Sequence, residues 1–139
     1  MEECTDSDKH PETTRRDSRL GRLGKALSYS AAGLACAWRT EEGFRQEVIA
    51  ALVLIPLACY LPVPLLQQAL LVASVLMVLV VELLNSSIES TIDRISLERH
   101  ELSKCAKDMG SAAVLLAILV ALVVWGAIVA GWLFDLRMS

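Results

Sequence analysis

Three long apolar runs constrain this chain more than any other feature. The first covers Val48 to Leu61 and extends back over the turn around Phe44. The second covers Leu65 to Leu84 with Glu82 as its only charge, and the third covers Gly110 to Phe134 with none. Roughly 20 apolar residues cross the hydrocarbon core of a bilayer as a helix, a length that the second and third runs meet outright. The first reaches it by including residues before Val48, and Pro56 inside it is a kink site. Lipid offers backbone N–H and C=O groups no partner, so each span is expected to be helical. A water-soluble domain is excluded by composition: 55% of the 139 residues are hydrophobic and only 5% aromatic, more aliphatic surface than such a domain can cover. The expected fold class is all-α, a membrane protein with three transmembrane helices.

The basic residues orient these spans. Of 13 Lys and Arg, eight (Lys9, Arg15, Arg16, Arg19, Arg22, Lys25, Arg39, Arg45) precede or open the first span. Four more (Arg94, Arg99, Lys104, Lys107) lie between the second and third spans. The connection around Pro62 and Pro64 has none, and the C-terminus has Arg137 alone. The positive-inside bias therefore predicts a cytoplasmic N-terminus and a cytoplasmic second connection. The first apolar run begins too late for a secretory signal peptide and lacks a cleavage pattern. A net charge of −3, with both signs in the same segments, gives no support for nucleic-acid binding. Cys4, Cys36, Cys59 and Cys105 are widely spaced and form no CxxC pair, so they indicate neither a disulfide framework nor a zinc site.

Before the spans, residues 1–17 are polar, mixed in charge and almost without apolar residues, which predicts a disordered tail. Residues 18–139 form the expected three-span domain. It opens with Leu20, Leu23, Leu27, Ala31, Leu34 and Trp38 at steps of three and four, one face of a helix. Arg22 and Lys25 fall off that stripe. The pattern fits an amphipathic helix on the inner membrane surface, or equally one packed on the protein's own bundle. Three spans make a thin bundle, for which symmetric association is the common remedy. Ala113, Ala117 and Ala121 at four-residue spacing supply a row that permits close helix approach.

The chemistry-bearing stretch runs from Val81 to Arg94. If the second helix continues through it, Glu82, Asn85, Glu89 and Asp93 share one face, with Ser86 beside them. Counting about 1.5 Å per residue from Leu65 puts Glu82 near the inner hydrocarbon boundary. An ionised carboxylate is expensive at that depth and calls for a partner or a task, although an interfacial glutamate can also simply snorkel to water. Glu41 and Glu42, at the start of the first span, should reach the level of Glu89. Carboxylates from different helices at one level suit a hard divalent cation such as Mg²⁺. The loop expected before the third span adds Glu98, Arg99, His100, Lys104, Lys107 and Asp108, which by themselves read as a solvated mixed-charge loop.

Three segments carry a resemblance: Glu42-Gly-Phe-Arg-Gln-Glu47; Val81-Glu-Leu-Leu-Asn-Ser-Ser-Ile-Glu89, continued by Asp93-Arg94; and His100-Glu-Leu-Ser-Lys-Cys-Ala-Lys-Asp-Met-Gly-Ser-Ala112. In order and spacing they strongly resemble the prokaryotic diacylglycerol kinases, over about Leu20 to Trp132. Ser87 and Thr40 depart from the family's usual residues, while the acidic group at Glu41 is kept. The resemblance implies ATP-dependent phosphorylation of diacylglycerol to phosphatidic acid by a homotrimer with composite sites, multi-pass in the bacterial cytoplasmic membrane. It implies Glu82 as general base and Glu41 and Glu89 as holders of Mg²⁺ on the ATP phosphates. ATP would meet Arg22, Tyr29, Glu41, Glu89, Glu98, Arg99, His100, Lys107 and Asp108. The lipid head would meet Gly43, Phe44, Arg45, Gln46, Glu47, Glu82, Asn85 and Ser111.

The residues can support that chemistry, since phosphoryl transfer needs a positioned acceptor, a metal bridging the phosphates and cations for developing charge. No Gly-x4-Gly-Lys-Ser/Thr loop or protein-kinase signature is present, so ATP follows from the resemblance alone. Two alternatives stay open: a kinase of the same architecture acting on a polyprenol such as undecaprenol, and a small membrane exporter or scaffold. A proton-coupled exporter calls for a mid-span carboxylate reachable from both sides, whereas Glu82 is expected at one boundary.

Overall fold

A computed structural model describes the backbone of residues 19–95 and 100–138. The expected tail, residues 1–17, and Glu98 and Arg99 lie outside the described residues. The regular elements are helices α1 (Arg19–Thr40), α2 (Glu42–Tyr60), α3 (Leu65–Ile95) and α4 (Glu101–Met138), with no strand among the described residues. The chain divides after Gly33, within α1, into two compact units. In the first, α1 is the helix that the leucine stripe predicts, and the Ser28 and Ser30 hydroxyls donate back to the Lys25 and Ala26 carbonyls at 2.8 and 3.0 Å.

The second unit holds the three helices long and apolar enough to cross a membrane, α2, α3 and α4. The first span starts earlier than its apolar run, at Glu42, and continues through Pro56. It ends where Pro62 and Pro64 remove two of three successive backbone donors. Gln68 then covers the exposed end of α2, its Nε2 donating to the Leu61 carbonyl at 2.9 Å. That tight connection makes α2 and α3 antiparallel neighbours.

At 31 residues, α3 is about 46 Å long, well beyond a hydrocarbon core of about 30 Å. Its polar end therefore projects past the apolar layer as continuous helix, as the spacing of Glu82, Asn85 and Glu89 predicts. α4 corrects the sequence reading. His100 precedes it, but Lys104, Lys107 and Asp108 are helical rather than in a loop, because α4 begins at Glu101, nine residues before the apolar run. His100 helps to start it: its Nδ1 accepts from the Leu102 N–H at 3.2 Å, satisfying one of the orphan donors of a helix N-terminus.

α3 packs against both α2 and α4. On α2 the buried residues Phe44, Ala51 and Ala58 recur every seven positions, and on α3 Leu71, Val75, Val78 and Glu82 alternate steps of four and three. This is the seam of helices packed side by side. The alanines let α2 approach closely, with Ala58 and Leu71 both wholly enclosed, which is how helices gain contact where lipid supplies no hydrophobic drive. On α4 the small-residue row is half realised: Ala117 and Ala121 are partly covered, whereas Ala113 is exposed.

Candidate active site

The site grows out of the α3 seam. Moving along it from Leu71 through Val75 and Val78, the next buried positions are Glu82 and Ser86. The stripe that packs the helices thus turns polar without leaving their interface. Glu82 is only 8% exposed, a burial that a carboxylate ordinarily avoids. Its seat is made by Gly43 on the first turn of α2: a Cβ there would overlap the Glu82 carboxylate oxygen Oε1. A glycine at 43 therefore admits the carboxylate into the α2–α3 contact.

Two further carboxylates, Glu41 and Glu89, lie within electrostatic reach of it. Glu41 is the single extended residue between α1 and α2 (φ −108°, ψ 118°), and its side chain makes no capping bond to the helix it precedes. Glu89 accepts at Oε1 from Asn85 Nδ2 at 3.1 Å, one turn back on α3. Glu47, one turn inside Gly43, also lies within electrostatic reach of Glu82, and its Oε2 is buried without a hydrogen-bond partner. The structure thus gathers Glu41, Glu47, Glu82, Asn85 and Glu89 from three segments.

α4 closes the other flank. The Lys107 ammonium donates to the Asp93 carboxylate on α3, setting a cation at the outer end of the acidic face. One turn further in, the backbone of Gly110 lies against the Asn85 side chain. Among the other residues expected here, Phe44 is a buried packing residue and Arg45 pairs with Glu42 at 3.4 Å. Gln46, Asp108 and Ser111 are exposed. Arg22 and Tyr29 lie on α1 in the N-terminal unit.

Sequence reasoning placed Gly110 in a family motif without giving it a role, and missed Trp125. Trp125 helps line a cavity of about 440 Å³ framed by α2, α3 and α4, which Glu47, Val75, Val78 and Ile118 also line. The Trp125 indole Nε1 is buried there without a partner. An aromatic residue within the third apolar run is the only signal that could have drawn attention to it.

Comparison with known proteins identifies the family. Residues 28–129 match the family described as prokaryotic diacylglycerol kinase. The diacylglycerol kinase of Escherichia coli (strain K12) is 53% identical over 104 residues, covering 75% of this chain and 85% of the relative. That of Pseudomonas aeruginosa is 50% identical over 121 residues, covering 87% and 98%. The Helicobacter pylori (strain 26695) enzyme is 50% identical over 105 residues, covering 76% and 82%. With residues 28–129 matched by the family and most of both chains aligned with each relative, this chain belongs to the prokaryotic diacylglycerol kinase family.

Proposed function

We propose that this chain transfers the γ-phosphoryl group of ATP to the free hydroxyl of diacylglycerol, giving phosphatidic acid and ADP at the inner face of the bacterial cytoplasmic membrane. The observation that carries the reading is the enclosed Glu82 carboxylate on the α3 seam, flanked by Glu41 and Glu89. Glu82 takes the hydroxyl proton as the lipid oxygen attacks phosphorus. One O–P bond forms, the bond from phosphorus to the bridging oxygen of ADP breaks, and ADP leaves. Burial against Gly43 holds the base still and keeps water from competing as acceptor.

The acidic residues suit Mg²⁺ bound with ATP. Glu41 has no capping bond to satisfy, and Glu89 keeps Oε2 beside the Oε1 that accepts from Asn85. Among the described residues no three ligating side chains converge into a closed metal site. An ion shared with nucleotide needs only one or two carboxylates, the phosphates supplying the rest. When bound, Mg²⁺ would neutralise phosphate charge.

By the family resemblance, Arg22, Tyr29, Glu98, Arg99, His100, Lys107 and Asp108 would contact ATP, and Gly43 to Glu47, Asn85 and Ser111 the lipid head. The apolar cavity beside Glu47 suits an acyl segment of that lipid. Association as a homotrimer with composite sites fits the open faces of the bundle, since Gly110 is the only buried residue of α4 among those described. Positive-inside bias favours a cytoplasmic N-terminus, with residues 1–17 a dispensable tail before the 18–139 domain.

The test is ATP consumption by purified protein in mixed micelles containing diacylglycerol or undecaprenol separately. Diacylglycerol-dependent ADP release is expected. Turnover with undecaprenol alone would transfer the mechanism to the polyprenol acceptor, and none with either would favour the exporter or scaffold.

A further inference from the structure

We propose that Gly110 is a positioning residue that sets the Glu89 carboxylate through Asn85. The observation is one of space. Gly110 is buried, and a Cβ built on it would overlap Asn85 Oδ1, lie 3.2 Å from Asn85 Cγ and come within 3.9 Å of the Asn85 backbone Cα. The amide oxygen therefore occupies the volume that any side chain at 110 would take. That oxygen is itself buried and has no hydrogen-bond partner, so it faces the Cα of Gly110 rather than a donor.

The other end of the same amide donates from Nδ2 to Glu89 Oε1 at 3.1 Å. Oxygen and nitrogen are fixed to one planar group. Moving Oδ1 by roughly 1 Å to restore van der Waals separation from a new methyl must swing Nδ2 as well. The backbone behind Asn85 limits retreat, because it belongs to the packed seam of α3. Gly110 thus clamps the amide from α4, and the amide aims the carboxylate on α3. This rests on the reading of Glu89 as a holder of the metal on ATP.

A glycine kept only for close helix packing would make different demands. Alanine is the better helix former, so once Asn85 is shortened, a methyl at 110 should be harmless. The experiment is a double-mutant cycle of Gly110→Ala, Asn85→Ala and the pair, with Glu89→Ala as reference. Each purified full-length protein is assayed for kcat and for the Mg²⁺ concentration giving half-maximal rate, and its assembly is followed by thermal unfolding in detergent. Gly110→Ala is expected to raise the Mg²⁺ requirement by about tenfold, the scale of one lost hydrogen bond to a charged group. Asn85→Ala should do the same, and the pair should be no worse than Asn85→Ala. If Gly110→Ala alone fails to assemble, the paired variant must recover assembly.

Costs that multiply in the pair, or a Gly110→Ala protein with unchanged kcat and Mg²⁺ dependence, would overturn the proposal. Loss of assembly that the pair does not recover would do so too. An unchanged Mg²⁺ requirement in Glu89→Ala would remove the metal reading instead. The coupling of Gly110 to Asn85 is then decided by the kcat cycle.

Discussion

Replacing Glu82 by glutamine is the sharpest perturbation of the proposed mechanism, because the structure separates its chemical consequence from its packing. The side chain is 8% exposed and lies against Gly43. Glutamine has nearly the same shape, so it can occupy that seat without opening a void. It also removes one of four neighbouring acidic groups, since Glu41, Glu47 and Glu89 lie within reach. Assembly and thermal stability should therefore be unchanged or improved. Catalysis should not survive, because an amide cannot accept the lipid's proton. A positioned general base contributes about 10²- to 10⁴-fold, equivalent to roughly 3 to 5 kcal/mol of transition-state stabilisation. The expectation is a fall of that size in kcat with the KM for ATP little changed. The assay is the initial rate of phosphatidic acid formation in mixed micelles, with the oligomeric fraction isolated first. Glu82→Asp should fall between, its carboxylate being withdrawn from Gly43 by about 1.5 Å, one carbon–carbon bond. A correctly assembled Glu82→Gln protein retaining more than about a tenth of the native rate would remove Glu82 as the base.

Glu41→Ala and Glu89→Ala should each raise the Mg²⁺ needed for half-maximal rate, by about tenfold for a lost oxygen ligand. Unchanged metal dependence in both would leave these glutamates structural. Deleting residues 1–17 should leave activity intact, because the segment holds no residue assigned to the site. Deleting through Ser30 removes Arg22, Lys25 and Tyr29, and should raise the ATP requirement or abolish turnover with the spans still inserted. Full activity of the longer deletion at the same apparent ATP affinity would make the helix a surface anchor only.

What could be read from the sequence follows from where the physics is local. Apolar runs of bilayer length are local, and all three became helices. The common face of Glu82, Asn85 and Glu89 is also local, depending only on helical periodicity, and Asn85 and Glu89 do pair across one turn. The start of α4 was misread because hydropathy changes at Gly110 while the backbone does not. Residues Glu101 to Met109 are polar since they leave the apolar layer, yet they include Leu, Lys and Ala, ordinary helix formers. The importance of Gly110 depends on the register of α4 against α3, a long-range quantity that no local pattern carries. The same holds for the meeting of Glu41 and Glu47 with Glu82. A charge inside an apolar run signals that a partner is needed, and only the α2–α3 contact shows which groups stand near it.

The placement of the site explains why so thin a bundle can hold a carboxylate out of water. On α3 the same stripe carries apolar packing residues at Leu71, Val75 and Val78, then polar ones at Glu82 and Ser86. The proposed base, Glu82, therefore inherits the rigidity of the seam, which a loop residue would lack. On either side the flanking helix presents a glycine where the polar side chain needs room, Gly43 for Glu82 and Gly110 for Asn85. Larger residues at both points would force a choice between opening the helix contacts and expelling the polar groups. Expelling Glu82 towards the aqueous boundary would ease its desolvation, but would also take it away from a hydroxyl anchored at the level of the lipid head. Close approach of α2 and α4 to the polar end of α3 is thus the condition under which a buried carboxylate can meet a membrane-bound alcohol.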